Sequence, residues 1–74
     1  MAVNALLVRA YAINIYRYGN RTFDSIPVDY HVPVKQYAGE NFALWEIDRA
    51  LEKKYITEQE YNETLAYVPK ESTE

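Results

Sequence analysis

The sequence predicts an all-α fold of three to four short helices with an irregular, proline-containing crossover. Three observations carry this reading. Residues 3–18 hold an apolar pattern for longer than a typical strand. Leu44, Ile47 and Leu51 recur at helical spacing. Thr57 followed by Glu60 is a capping box, a written helix start.

Taken in order, residues 3–18 read as a helix apolar nearly all round, which should lie buried between neighbours. Gly19 stands where a helix end favours a left-handed residue. The alternative is an α+β fold, in which Ala12 to Tyr18 alternates as a strand and Gly19 with Asn20 turns a hairpin.

Residues 19–40 read as an ordered crossover. Thr22 can cap a short turn that Phe23 and Ile26 pin onto the first helix. Pro27 and Pro33 remove backbone donors and punctuate the stretch, leaving about one helical turn between them and another before Gly39. Ile26, Val32, Val34 and Tyr37 are expected on the core, since the segment is too apolar to be a solvated linker.

A further helix is expected over 41–54, capped by Asn41, with Leu44, Ile47 and Leu51 facing the core. Phe42 and Trp45 fall off that line and form a second apolar edge. Glu46 and Arg49, three apart, should keep another face wet, and Lys53 and Lys54 suit the negative end of the dipole. The last helix follows Thr57, with Ile56 and Tyr61 as a hydrophobic staple and Tyr61, Leu65 and Val68 as its core line. Pro69 stops it. Residues 1–68 thus form a single small domain and 69–74 a polar tail expected to fray.

Composition limits the function. A chain of 74 residues buries only roughly 60% of the surface it exposes when unfolded, and without cysteine it has neither disulfides nor thiolate metal sites. That absence favours a reducing compartment. With 49% hydrophobic residues and eight tyrosines, a partner subunit is a natural source of extra stability. The net charge of -3 and the dispersed basic residues disfavour nucleic acid. Asn4, Arg9, Asn14 and Arg17 interrupt the N-terminal stretch too often for a membrane span, and no signal-peptide pattern is present.

Candidate chemistry is sparse. His31 is the sole histidine, too few ligands for zinc, and two glycines cannot build a phosphate-binding loop. Glu58, Glu60 and Glu63 cluster at the start of the last helix, where they complement its dipole. No catalytic, metal-binding or cofactor-binding residue is expected, and the chain reads as a non-enzymatic binding protein. The expected interface residues are Phe42 and Trp45 with Tyr11, Ile15 and Tyr16 of the first helix, meeting a second copy or another protein. An alternative is a small DNA-binding regulator using Arg9, Arg17, Arg21 and nearby tyrosines.

Residues 9–34, RAYAINIYRYGNRTFDSIPVDYHVPV, resemble a pattern of small proteins from phage and prophage tail regions: an apolar helix, a glycine, a threonine-led turn and an aliphatic residue before proline. The later stretch ALEKKYITEQEYNETLAY resembles the C-terminal part of XkdX-like small phage proteins. Together they cover about two thirds of the chain; Pro33 and the tyrosine-rich crossover depart from the pattern. The resemblance implies a structural or accessory protein in the host cytoplasm or the virion, and no active site.

Overall fold

The computed structural model describes residues 3–69 and is all-α, with four helices and no strand among those residues. Helix α1 (Ala5–Ala12) begins at Asn4, whose side-chain oxygen accepts from the Leu6 and Leu7 amides at 2.8 and 3.3 Å. The Asn4 amide in turn donates to the Tyr30 hydroxyl at 3.0 Å, so the cap is also a tertiary tie. The helix widens into a π-helical segment (Ile13–Tyr18) that ends at Gly19, φ 69°. There the Asn14 carbonyl accepts from both the Gly19 and Asn20 amides. Gly19 and Asn20 therefore close a helix and do not turn a hairpin.

One face of this N-terminal helix forms the floor of the core: Val8, Ala12, Ile15 and Tyr16 are buried. The opposite face is not, which corrects the expectation of burial all round. Leu6 is 75% exposed, and Val3 and Leu7 are also exposed. Fully burying a side chain of this size gains about 1.5–3 kcal/mol, but a chain this short has only enough partners for one side of the helix.

Two 3₁₀ turns follow. Phe23–Ser25 is held by the Ser25 hydroxyl, which donates to the Thr22 carbonyl at 2.7 Å and accepts from its amide at 3.0 Å. Phe23 and Ile26 are buried, pinning the turn. Val28–Tyr30 then leads directly into α2 (His31–Asn41). The crossover is thus more helical than the sequence suggests, and helix α2 runs through both Pro33 and Gly39. Pro33 is third in the helix, where an amide would have no intrahelical acceptor, so its missing donor costs little. Gly39 is there for space: a Cβ would lie 2.6 Å from the Thr64 carbonyl oxygen and from Tyr67 Cβ, so α4 crosses α2 at this point. Val34 and Ala38 face the core as α2's buried stripe, whereas Val32, expected there, is exposed.

Asn41 does not cap the next helix. It ends α2, its side-chain amide donating to the Tyr37 carbonyl at 2.9 Å. Phe42 is extended and α3 (Leu44–Glu52) starts two residues later, after Ala43. The side of α3 that meets the core is not the expected Leu44, Ile47 and Leu51 line. Ile47 and Ala50 are buried, Leu51 is partly buried, and Leu44 is exposed. Helix α3 ends in a left-handed turn at Lys54 (φ 66°), with the Tyr55 amide donating to Ala50 and the Lys54 amide to Leu51.

Helix α4 (Glu58–Leu65) opens with the expected capping box. The Glu60 amide donates to the Thr57 hydroxyl at 3.1 Å and the Thr57 amide to the Glu60 carboxylate at 2.8 Å. Ile56 is buried, and Tyr61, Leu65 and Val68 pack at the core margin. Tyr61 also donates to Asp48 at 2.5 Å, joining α4 to α3. The polar tail expected at 69–74 lies, from Lys70 on, outside the described residues.

Candidate functional site

Three of the five residues expected at an interface belong to the core. Ile15 and Tyr16 are fully buried and Phe42 is 8% exposed. Tyr16 is the aromatic centre of the molecule, meeting Phe23 and Phe42 edge-on at 6.0 and 5.9 Å between ring centres. Phe42 leaves the surface because the chain is extended there, which turns its ring inward against Tyr16 and Tyr37. Tyr11 is partly buried and packs edge-on against Tyr30. Trp45 is 60% exposed and stands beside exposed Leu44 at the start of α3.

A further apolar exposure lies on α1 and was not singled out from the sequence. At 3.6 residues per turn Leu6, Leu7 and Ala10 share the face of α1 opposite Val8 and Ala12, while Val3 precedes the Asn4 cap at the edge of the α1–α2 groove. Val3, Leu6, Leu7 and Ala10 are all exposed. The signal was present in the sequence as two apolar faces on one short helix, but their spacing does not say which of the two the domain will use. Beside this stripe, α1 and α2 form an open groove of about 320 Å3, lined by Val3, Val8, Pro33 and Tyr37 with Gln36 and Glu40 among its polar members.

The charged groups around these surfaces are mostly engaged. Glu46 does not pair with Arg49 on a wet face. It is nearly buried: one carboxylate oxygen accepts from the Ala43 amide and the other from Arg17 Nε, each at 3.0 Å. The Arg17 guanidinium also lies 4.6 Å from the centre of the Phe42 ring. Arg49 instead stacks 5.2 Å from the Trp45 ring, with its Nε buried and unpartnered. Arg21 lies 5.7 Å from the Tyr11 ring. The three arginines considered for DNA contact therefore do not form one open basic groove, since Arg17 is bound to Glu46 and Phe42.

His31 packs edge-on against Phe23 at 5.4 Å, and its Nε2 is buried without a hydrogen-bond partner. Lys35 approaches the same ring at 5.1 Å and is ion-paired to Glu63. The Lys35 hydrogen bond, aided by one from Gln59, holds the Glu63 carboxyl below its ordinary value. Burial pushes the Tyr16 hydroxyl well above the ordinary phenol value, so it remains a neutral donor. Among the described residues no three metal-ligating side chains gather into a cation site. Nor is any of their helices long and apolar enough to cross a membrane. No family model matches the chain, and no curated protein or solved structure matches it.

Proposed function

We propose that this is a non-enzymatic binding protein that associates with itself or with another protein through the apolar surface left open on α1 and at the start of α3. The observation that carries this reading is the exposed face of Leu6, Leu7 and Ala10, with Leu6 at 75% exposure on a helix whose other face already fills the core. Exposed contiguous apolar surface on a small domain marks an interaction site. Trp45 with Arg49 stacked on it adds the two residue types most enriched at binding hot spots. The phage or prophage setting, as a structural or accessory protein, rests on the resemblance of residues 9–34 and of the later stretch around Thr57. The DNA-contacting alternative has less support, because Arg17 is held by Glu46.

Sedimentation of the intact chain at micromolar concentration tests the reading, together with binding of an apolar-surface dye. Species above the monomer mass or dye binding, either one reduced by Leu6→Asp or Trp45→Ser, are expected. A strict monomer that binds no dye would exclude it.

A further inference from the structure

The charge pattern around α1 selects among the partners its apolar stripe could take; this inference rests on the reading that the stripe binds protein. Arg9, Arg17 and Arg21 all lie within residues 1–23, a stretch with no Asp or Glu, and all eleven acidic residues of the chain come later. Arg9 stands one helical turn beyond Leu6. Tyr11, one turn beyond Leu7, carries the Arg21 guanidinium near its ring. The stripe is therefore bordered by an arginine on each side. Arg17, nearer its C-terminal end, is neutralised by Glu46, whereas Arg9 and Arg21 have no carboxylate within ion-pair distance among the described residues. At the other end Glu40 shares the groove with Val3 and accepts from Gln36 at 3.3 Å.

We propose that the stripe formed by Leu6, Leu7 and Ala10 docks an amphipathic helix of a partner protein, with Asp or Glu flanking its apolar residues. Leu6, Leu7 and Ala10 share one exposed side of a regular helix, against which an incoming helix can lie. Ala10, at the C-terminal end of that side, lets two helix backbones approach. Carboxylates on the incoming helix would meet Arg9 and Arg21, which lie toward the end away from Glu40. A second copy is a poor fit: paired in parallel it sets arginines against arginines, and paired antiparallel it offers only the single Glu40, already hydrogen-bonded to Gln36, to the two arginines. An anionic membrane is also a poor fit to a chain of net charge -3.

The test uses the full chain and two synthetic helical peptides of identical leucine spacing, one flanked by glutamates and one by lysines, titrated by fluorescence anisotropy. The glutamate peptide should bind about tenfold tighter or more, and added salt should weaken it. Leu6→Asp should abolish binding. Arg9→Glu with Arg21→Glu should reverse the preference between peptides while circular dichroism stays unchanged. Equal binding of the two peptides, no binding of either, or stronger binding to phosphatidylserine vesicles would overturn the proposal. Self-association lost in Leu6→Asp, with no preference between peptides, would overturn the acidic partner but leave the α1 surface as a binding face. If Leu6→Asp and Trp45→Ser alter no association of any kind, both readings fall.

Discussion

The hydroxyl of Tyr16 lies 2.5 Å from the hydroxyl of Thr64, a contact between two fully buried residues 48 positions apart. Thr64 already donates its proton to the Glu60 carbonyl at 2.8 Å, one turn back along α4. Its oxygen is therefore the acceptor and Tyr16 the donor. This chain of two hydrogen bonds fastens the last helix to the first.

Tyr16→Phe should cost about 1–2 kcal/mol, because it removes a buried hydrogen bond with little change in volume. Thr64→Val should cost a similar amount. The double variant should show a coupling of about 1 kcal/mol in urea denaturation. Strict additivity would show that the contact contributes nothing to stability.

The same burial gives the fold an alkaline limit. Desolvation raises the folded-state pKa of Tyr16, and nearby Glu60 and Glu63 add to the rise. Once the unfolded chain loses its phenol protons near about pH 10, the folded state binds more protons, so stability falls as pH increases. Tyr61, held by Asp48, acts with the same sign. Urea midpoints should therefore drop above about pH 10, and less steeply in Tyr16→Phe.

At the acidic end the sign reverses. Glu63 is lowered in the folded state by the Lys35 hydrogen bond, so its contribution is present above the ordinary carboxylate value and is lost as pH falls through the lowered one. Thermal melts of Glu63→Gln should show a shallower loss of stability below about pH 4.3 than the parent chain. Salt should shrink the difference, since Glu63 is exposed enough to be screened.

Backbone conformation supplies a further contrast. Lys54 is the only non-glycine residue at positive φ among the described residues, and Lys54→Gly should stabilise the chain by about 0.5–1 kcal/mol. Gly39→Ala should destabilise it by about 1–3 kcal/mol, because the added methyl meets a backbone carbonyl that cannot step aside. Equal melting temperatures for the two variants would contradict both assignments.

Thr57→Ala should cost about 1 kcal/mol, read as a shift in the denaturation midpoint. Exchange at the Glu60 amide, which the Thr57 hydroxyl accepts from, should quicken in the same variant.

The parts of the fold legible in the sequence are those set within a single turn. Thr57 and Glu60 satisfy each other locally, so their role needs no knowledge of the rest of the chain. Asn41 shows the limit. An asparagine can end one helix as well as begin another, and its choice of the Tyr37 carbonyl moves the start of α3 to Leu44. With the chain left extended at Phe42, that ring turns into the core, and α3 meets the core with Ile47 and Ala50 while Leu44 stays exposed. Pro33 and Gly39 misled for a related reason. Each breaks a helix in general, but Pro33 sits where no donor is needed and Gly39 where a neighbouring backbone needs the room. Thr64 carried no signal at all, since a threonine inside a polar-looking helix gives no hint of a tyrosine 48 residues earlier.

Tyr55 joins the left-handed turns at Gly19 and Lys54. Its amide completes the turn at Lys54 by reaching Ala50 at 2.8 Å, while its ring occupies the space that a side chain at Gly19 would need. The molecule is thereby a loop latched at one ring, with α2 and α3 enclosed between residues 19 and 55. Closing such a loop carries an entropic cost that is met once, when the latch forms. Moving Tyr55 away from Gly19 therefore opens the end of the first helix and the end of α3 together. Native-state hydrogen exchange should accordingly show the amides of Gly19 and Tyr55 opening with the same free energy.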